Sequence, residues 1–377
     1  MKEMEAPKNR EIRVLSLFDW MSCGQQALEQ AGIPVSVYYA SEIDKYAIQI
    51  TQKNYPNTIQ LWDVTKWREW NLWEIDMIIG GSPCQDLSIA GKRAWFDWAR
   101  SWLFWDMVDI IAHYKPKYFL LENVASMSKD NKAIITEAMW VEPILINSAL
   151  LTAQNRKRLY WTNISWITQP KDKGIVIKDI LEDEVDEKYY LNDSLLEKLK
   201  YLKGAKKEQR VKDWHEYTYS EWSLKLTKKE KSLPTLASWA GTVGRCATIV
   251  QVNDPDHSNN RVYWDNGKSP TLNTMQWWHR QPKIVQKVWD RDKDNWGMRE
   301  DKSYSLPANP MSDRWQMVMS DRIRKLTPTE CERLQWVRDW YTEWVSNSQR
   351  YKMIWNWWTV PVISHIFSFI PHQTNDE

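Results

Sequence analysis

Between Ile12 and about Ile164 short apolar runs alternate with amphipathic segments, and that alternation leaves the chain few architectures. Read as strands, the runs are Arg13–Phe18, Val37–Ala40, Asp76–Ile79, Tyr118–Leu121, Pro143–Asn147 and Arg158–Thr162. Helical spacing of apolar residues marks Gln25–Ala31, Lys45–Asn54, Leu103–His113 and Lys132–Ala138. Strand, helix, strand in that order means βαβ units and a mainly parallel sheet.

From Gln169 the text turns Lys/Asp/Glu-rich with little periodicity, and stays so to about Arg322. Within it Lys231-Ser-Leu-Pro-Thr-Leu is echoed by Lys268-Ser-Pro-Thr-Leu and more loosely by Lys302-Ser-Tyr-Ser-Leu-Pro, which suggests a small β-rich module. Helical text then returns: Thr327 stands as an N-cap, Pro328 in the first turn and Glu330 at the capping-box position. The expected division is 1–168, 169–322 and a returning segment 323–377, which suits 377 residues as one large α/β domain with a smaller partner.

Charge is nearly silent, with 51 Lys+Arg against 49 Asp+Glu. Any nucleic-acid surface must therefore come from local clustering. The four cysteines, Cys23, Cys84, Cys246 and Cys331, form no C-x-x-C pair, so neither a disulfide framework nor a metal site is expected. The charged start, MKEMEAPKNR, does not suit a secretory signal, and the most apolar stretch, Thr359–Ile370, is too short to cross a bilayer. A soluble, cytoplasmic protein without membrane contact is expected.

One count is abnormal: 27 tryptophans against 11 glycines. Glycine ordinarily takes about 7% of a chain, and here tryptophan holds that share. A large ring that wants a packed pocket should not recur at turn after turn, as it does in DWARSW and WNWW.

Several segments carry chemistry. Gly80-Gly81-Ser82-Pro83-Cys84-Gln85 follows a strand directly, placing Cys84 where open α/β sheets put their sites. A Pro-Cys pair in a polar loop suits a nucleophile better than a core position, although most lone cysteines are small buried hydrophobes. Glu122-Asn123-Val124 ends the next strand, where a carboxylate is either a general acid beside a thiolate or a solvated loop residue or helix cap. Phe18-Asp19-Trp20-Met21-Ser22-Cys23-Gly24 joins the first strand to the first helix, the place of a cofactor turn, and Glu42 about twenty residues on suits a ribose. Trp20, however, would fill the space that a cofactor needs. Gln154, Arg156 and Arg158 fall at alternate positions on one strand face; they could grip a phosphate or base oxygen, or form a solvated basic edge.

Taken together, these segments resemble the DNA cytosine-5 methyltransferase family, in family order and over nearly the whole chain. Phe18-Asp19-x-x-x-x-Gly24, including Ser22 and Cys23, resembles its cofactor loop; Glu42-Ile43 its ribose-side acid; and Asp63-Val64 its adenine-side acid. Pro83-Cys84-Gln85 is similar to the catalytic loop, Glu122-Asn123-Val124 to the acid motif and Gln154-x-Arg156-x-Arg158 to the arginine motif. The Arg324–Gln335 segment resembles the helix that orients the target-recognition region, and Asn356 with Thr359-Val360 the last cofactor-side motif.

The resemblance implies a Rossmann-like mixed sheet with helices on both faces, a β-rich target-recognition domain, S-adenosylmethionine as cofactor and duplex DNA as substrate. It implies that Cys84 adds to C6 of a flipped-out cytosine while Glu122 acts at N3 and Arg158 at O2, so that C5 accepts a methyl group. A monomer is expected, with a cognate restriction endonuclease as a candidate partner. The alternatives are a transfer-RNA methyltransferase of the same fold, a non-catalytic DNA-binding relative, and a nicotinamide dehydrogenase. The last gives no reason for Pro-Cys-Gln and Glu-Asn-Val to occur together.

The departures run one way. Trp20, Trp62, Trp102, Trp355 and Trp357 stand at family glycine sites, whereas Trp105, Trp161 and Trp358 stand where an aromatic is acceptable. This pattern is the one expected if UGA codons meaning glycine were read as tryptophan. An engineered tryptophan scan would ignore glycine sites.

Overall fold

The computed structural model describes residues 11–72, 74–82, 98–191, 262–264, 267–270, 283–292, 316–356 and 358–371. The chain divides into two compact units. One comprises Met1–Ile175, Pro270–Gln276 and Pro328–Glu377, the other Val176–Ser269 and Trp277–Thr327.

The first unit is built on a seven-stranded sheet. In chain order its strands are β1 (Ile12–Leu17), β2 (Val35–Ser41), β3 (Ile59–Gln60), β4 (Met77–Gly80), β5 (Tyr118–Val124), β6 (Ile144–Asn147) and β8 (Lys157–Thr162), with a two-residue β7 (Gln154–Asn155) outside the sheet. The spatial order is β3-β2-β1-β4-β5-β8-β6. Pairing is parallel from β3 through β5, while β8 runs antiparallel to both β5 and β6, so the sheet is mixed. The order reverses direction between β1 and β4, and a crevice for ligands opens at such a switch point, outside the strands' carboxyl ends.

Helices α1 (Cys23–Gln30), α2 (Lys45–Asn54), α3 (Trp98–Tyr114) and α4 (Lys129–Met139) connect the strands. The period-two alternation of each strand sends successive side chains to opposite faces. On one face Leu15, Leu17, Ile78, Leu121 and Trp161 form a core with Phe104, Met107 and Ile110 of α3 and Ile135 and Met139 of α4. Ile79 points the other way, toward α1: a Cβ on Gly24 would lie 2.4 Å from its Cδ1. Both faces are therefore covered, which explains why these strands read as nearly continuous apolar runs. Three further helices close the unit, α5 (Pro328–Leu334), α6 (Asn347–Asn356) and α7 (Val360–Phe367).

In the second unit β11 (Lys283–Asp292) pairs antiparallel with β12 (Gln316–Lys325) and parallel with β9 (Val262–Trp264). Between β9 and β11 in the chain comes a two-residue strand β10 (Ser269–Pro270), of which Ser269 belongs to the second unit and Pro270 to the first. The Lys231 and Lys302 echoes lie outside the described residues.

Among the described residues nine non-glycines have positive φ, and six of them are tryptophan: Trp20, Trp62, Trp140, Trp166, Trp336 and Trp340. Such angles are uncommon for any side chain and natural for glycine. Trp140 and Trp166 are 90% and 91% exposed. The buried tryptophans behave otherwise: Trp161 Nε1 donates to Thr136 at 3.0 Å and Trp67 Nε1 to Asp106 at 3.2 Å. Trp105 and Trp358, also expected to be ordinary aromatics, are 44% and 9% exposed.

Candidate active site

At the carboxyl end of β1 the chain turns through Phe18, Trp20 and Ser22, with φ of 57°, 51° and 60°. Backbone bonds from Asp19 N to Ser41 O (3.2 Å) and from Ser22 N to Asp19 O (3.0 Å) set the turn. Asp19 is buried; its carboxylate accepts from Tyr38 Oη at 2.8 Å and from the Ser22 hydroxyl. Burial raises the Asp19 pKa, against the hydrogen bonds that favour its charge. Asp19, Ser22 and Cys23 thus face inward and shape the turn. Gly24 is held to its residue type by close approach, because a Cβ there would also lie 2.6 Å from Tyr38 Oη.

Glu42, at the end of β2, accepts from Trp20 N at 3.0 Å through Oε2, and from Ile43 N at 2.8 Å and Asp44 N at 2.7 Å through Oε1. Burial raises its pKa, partly offset by those three N–H groups. Ile43 beside it is 74% exposed, an apolar side chain presented at the sheet edge. Beyond β3, Asp63 caps a short 3-10 turn that opens with Val64, accepting from Thr65 N at 2.9 Å. Three adjacent parallel strands therefore end in a turn, a carboxylate with an apolar neighbour, and a second carboxylate. This donor set fits a nucleoside carrying a ribose diol and a base.

On the other side of the switch point β4 runs into Gly80, Gly81 and Ser82. Pro83, Cys84 and Gln85 lie outside the described residues. Just before them, Asn123 Nδ2 of β5 donates to Ser82 Oγ at 3.2 Å. Glu122, next to it, is a 9%-exposed strand residue, neither a solvated loop nor a helix cap. Its Oε1 is 2.7 Å from Arg158 Nε on β8. Its Oε2 lies 3.2 Å, and Trp358 Nε1 3.0 Å, from where a Cβ on Gly81 would stand, so the carboxylate faces Gly81, two residues before Pro83.

The arginine segment departs from the sequence expectation. It is neither one strand with three residues on a face nor a solvated edge: the pairing breaks at Arg156 between β7 and β8, and β8 lies between β5 and β6. Gln154, Arg156 and Arg158 are all buried. Arg156 Nη1 donates to Trp355 O at 3.2 Å, at the end of α6. Asn356 is half-buried. Thr359 and Val360 are buried and tied to Gln335, through Thr359 Oγ1 to Gln335 Oε1 at 2.8 Å and Val360 N to Gln335 O at 3.2 Å. Among the described cysteines Cys23 and Cys331 are buried free thiols, and burial pushes Cys23 well above its ordinary pKa, so it does not suit a thiolate. No described group of three or more His, Cys, Asp or Glu is placed to hold a metal ion.

Against known families, the model for the C-5 cytosine-specific DNA methylases matches residues 12–372. The chain belongs to that family. It is accordingly an S-adenosylmethionine-dependent DNA cytosine-5 methyltransferase. Among this methylase's relatives, the orphan methyltransferase M.Rho11sI of Bacillus phage rho11s is 27% identical over 97% of this chain and 99% of its own. The type II methyltransferase M.NlaIV of Neisseria lactamica is 28% identical over 62% and 64% of the two chains. The solved structure of S. pombe Dnmt2 methyltransferase shares the fold at a TM-score of 0.54 and 14% identity, over 95% of this chain and 97% of that one. No helix among the methylase's described residues is long and apolar enough to cross a membrane.

Sequence reasoning missed Tyr38, which bonds Asp19; Gln335, which bonds Thr359; and the anchoring role of Asn123. Asn123 and Gln335 stood in quoted motifs without these partners being foreseen, and no local signal marks Tyr38.

Proposed function

We propose that Cys84 is the nucleophile and that Glu122 and Arg158 hold the target base. The Cys84 sulfur bonds to C6 of a flipped-out cytosine, Glu122 hydrogen-bonds or protonates N3, and Arg158 interacts with O2. C5, now carrying enamine electron density, accepts the methyl group; loss of the C5 proton restores the double bond and expels Cys84. S-adenosylmethionine, when bound, supplies that methyl group. Glu42 would hold its ribose, Ile43 one face of its adenine and Asp63 the base edge, while the Phe18–Gly24 turn approaches the methionine part. Pro83 and Gln85 shape the nucleophile loop, and residues 169–322 read the target sequence.

The observation that carries this reading is the buried Glu122–Arg158 pair, with Glu122 Oε2 turned to Gly81, two residues before Pro83. The test is Cys84→Ser: methyl transfer to duplex DNA is lost while DNA binding stays measurable. Undiminished transfer by that variant refutes the assignment.

The same proposal includes glycine as the true residue where tryptophan adopts left-handed angles. Helix ends provide the support. α1 ends with Gly32 at φ 70°, Gly32 N bonding Glu29 O and Ile33 N bonding Leu28 O. α5 ends in the same pattern with Trp336 at φ 61°, Trp336 N bonding Arg333 O and Val337 N bonding Glu332 O. That pattern favours glycine at the left-handed position. α4 ends at Trp140, again left-handed. Mass spectrometry of the protein from its own host decides the point: glycine masses at 20, 62, 336 and 340 are expected, and tryptophan there ends the idea.

An orphan enzyme without a cognate endonuclease suits the relatives better than the restriction partner expected from sequence. Relatives covering 96% or more of this chain include four orphan methyltransferases of Bacillus phages and one named "Putative type II methyltransferase M.BsuMIIP" of Bacillus subtilis, while the type II enzymes M.NlaIV and M.NgoBV cover 62% and 46% of it. A cytoplasmic monomer completes the proposal.

A further inference from the structure

The peptide plane between Met21 and Ser22 is pinned on both sides. Its N–H donates to Asp19 O at 3.0 Å, and its carbonyl, at Met21 O, accepts from the Tyr341 hydroxyl at 2.6 Å. Ser22, whose N–H belongs to this plane, has φ 60°, a left-handed conformation that a serine in an unconstrained chain would leave.

Tyr341 is itself held on every polar atom of its backbone. Its N donates to Arg338 O at 3.2 Å, and its carbonyl accepts from Asn54 Nδ2 of α2 at 3.1 Å. The residues flanking it are fixed by Glu332 of α5, which is fully buried. Glu332 Oε2 accepts from Trp340 N at 2.9 Å, and Oε1 from Thr342 N at 2.9 Å, from the Thr342 hydroxyl and from Arg350 Nη2 of α6 at 3.1 Å. Arg350 Nε also donates to Thr342 Oγ1 at 2.8 Å. A buried charge with this many partners is a rigid anchor, since each lost partner leaves a desolvated group unsatisfied.

We propose that Tyr341 is a positioning residue for the cofactor turn, and that the Glu332–Arg350 pair holds it there. The C-terminal segment thereby presets the Asp19–Ser22 backbone before any ligand arrives. Burial keeps the Tyr341 pKa well above its ordinary value, so the hydroxyl stays a donor throughout the working range. Neither Tyr341 nor Glu332 touches the reacting atoms, and neither belongs to the turn it shapes.

The inference rests on reading Phe18–Gly24 as the cofactor turn, and the experiment separates the two. Tyr341→Phe, which keeps the ring and its packing, is compared with the parent full-length chain expressed under its own host's decoding. Two readouts are taken: amide hydrogen exchange at Ser22 without ligand, and S-adenosylhomocysteine affinity by calorimetry. One net hydrogen bond corresponds to about a five- to tenfold change, so exchange should speed up and affinity weaken by that factor. The KM for cofactor should rise likewise, with kcat at saturation and KM for DNA unchanged. Glu332→Gln, which keeps the shape but weakens the anchor, should show the same split in smaller measure. Faster exchange at Ser22 with no S-adenosylhomocysteine binding by the parent chain overturns the cofactor-turn reading and leaves the clamp standing. Parent-like exchange and affinity in Tyr341→Phe overturn the clamp. So does a proportional loss of kcat, DNA affinity and thermal stability with cofactor affinity intact.

Discussion

Arg158 Nε stands 2.7 Å from Glu122 Oε1 across two antiparallel strands, with both side chains about nine-tenths buried. Removing one member of such a pair strands the other charge in the interior, which costs about 3–5 kcal/mol, whereas replacing both costs far less. Arg158→Met should therefore destabilise the fold more than Arg158→Met combined with Glu122→Gln, as measured by urea unfolding. Additive losses would show that the two side chains do not depend on each other.

Catalysis should respond differently from stability. Glu122→Gln keeps the side chain's shape but removes its acid function, and general acid catalysis contributes about 10²–10⁴-fold. Single-turnover methylation should slow by that order while S-adenosylhomocysteine affinity is kept.

Asn123 ties β5 to Ser82, the residue before Pro83. Asn123→Ala leaves Ser82 without that donor and should cost about 1–3 kcal/mol of stability. It should also lower kcat more than it changes cofactor affinity, because the Phe18–Gly24 turn makes no bond to Asn123. Equal losses in both, measured by steady-state kinetics and calorimetry, would count against a role specific to the Pro83-Cys84-Gln85 segment.

Glu42 gives a pH signature with two opposite signs. Its folded pKa is raised above 4.5 by burial. Stability from this group is therefore complete below the unfolded value and lost as pH rises through the folded one. Cofactor affinity, which uses the ionised carboxylate, should rise over the same window. Glu42→Gln should flatten the affinity curve, but the stability curve only in part, because burial raises Asp19 with the same sign. Calorimetry and denaturant unfolding across a pH series check both.

Much of the fold was legible because its signals are local. α2 spans Lys45–Asn54 as read, since Asp44 caps it by accepting from Tyr46 N and Ala47 N. α3 begins at Trp98 rather than Leu103, because Trp98–Phe104 shows no clean apolar stripe to mark its start. β3 and β7 are two residues each, too short for any periodicity. In the site, Glu42 and Glu122 were visible as carboxylates at strand ends. The partners that give them geometry were not: Tyr341 meets Met21 across 320 positions and Arg158 meets Glu122 across strands. Composition set tryptophan against glycine, and Trp62, Trp140 and Trp336 adopt left-handed angles that are natural for glycine.

Trp336 allows a direct comparison. Glycine at this left-handed helix end should be more stable than tryptophan by about 1–2 kcal/mol, as read from the unfolding midpoints of the two chains.

The most direct measurement is covalent capture. A duplex carrying 5-fluorocytosine at the target base has no C5 proton to lose, so the Cys84–C6 bond cannot be released after methyl transfer. Incubated with S-adenosylmethionine and the chain made with its host's decoding, the duplex should yield a denaturation-resistant adduct whose digest maps to Cys84. Methylation of the normal duplex without any such adduct, or an adduct mapping to another residue, would contradict the account.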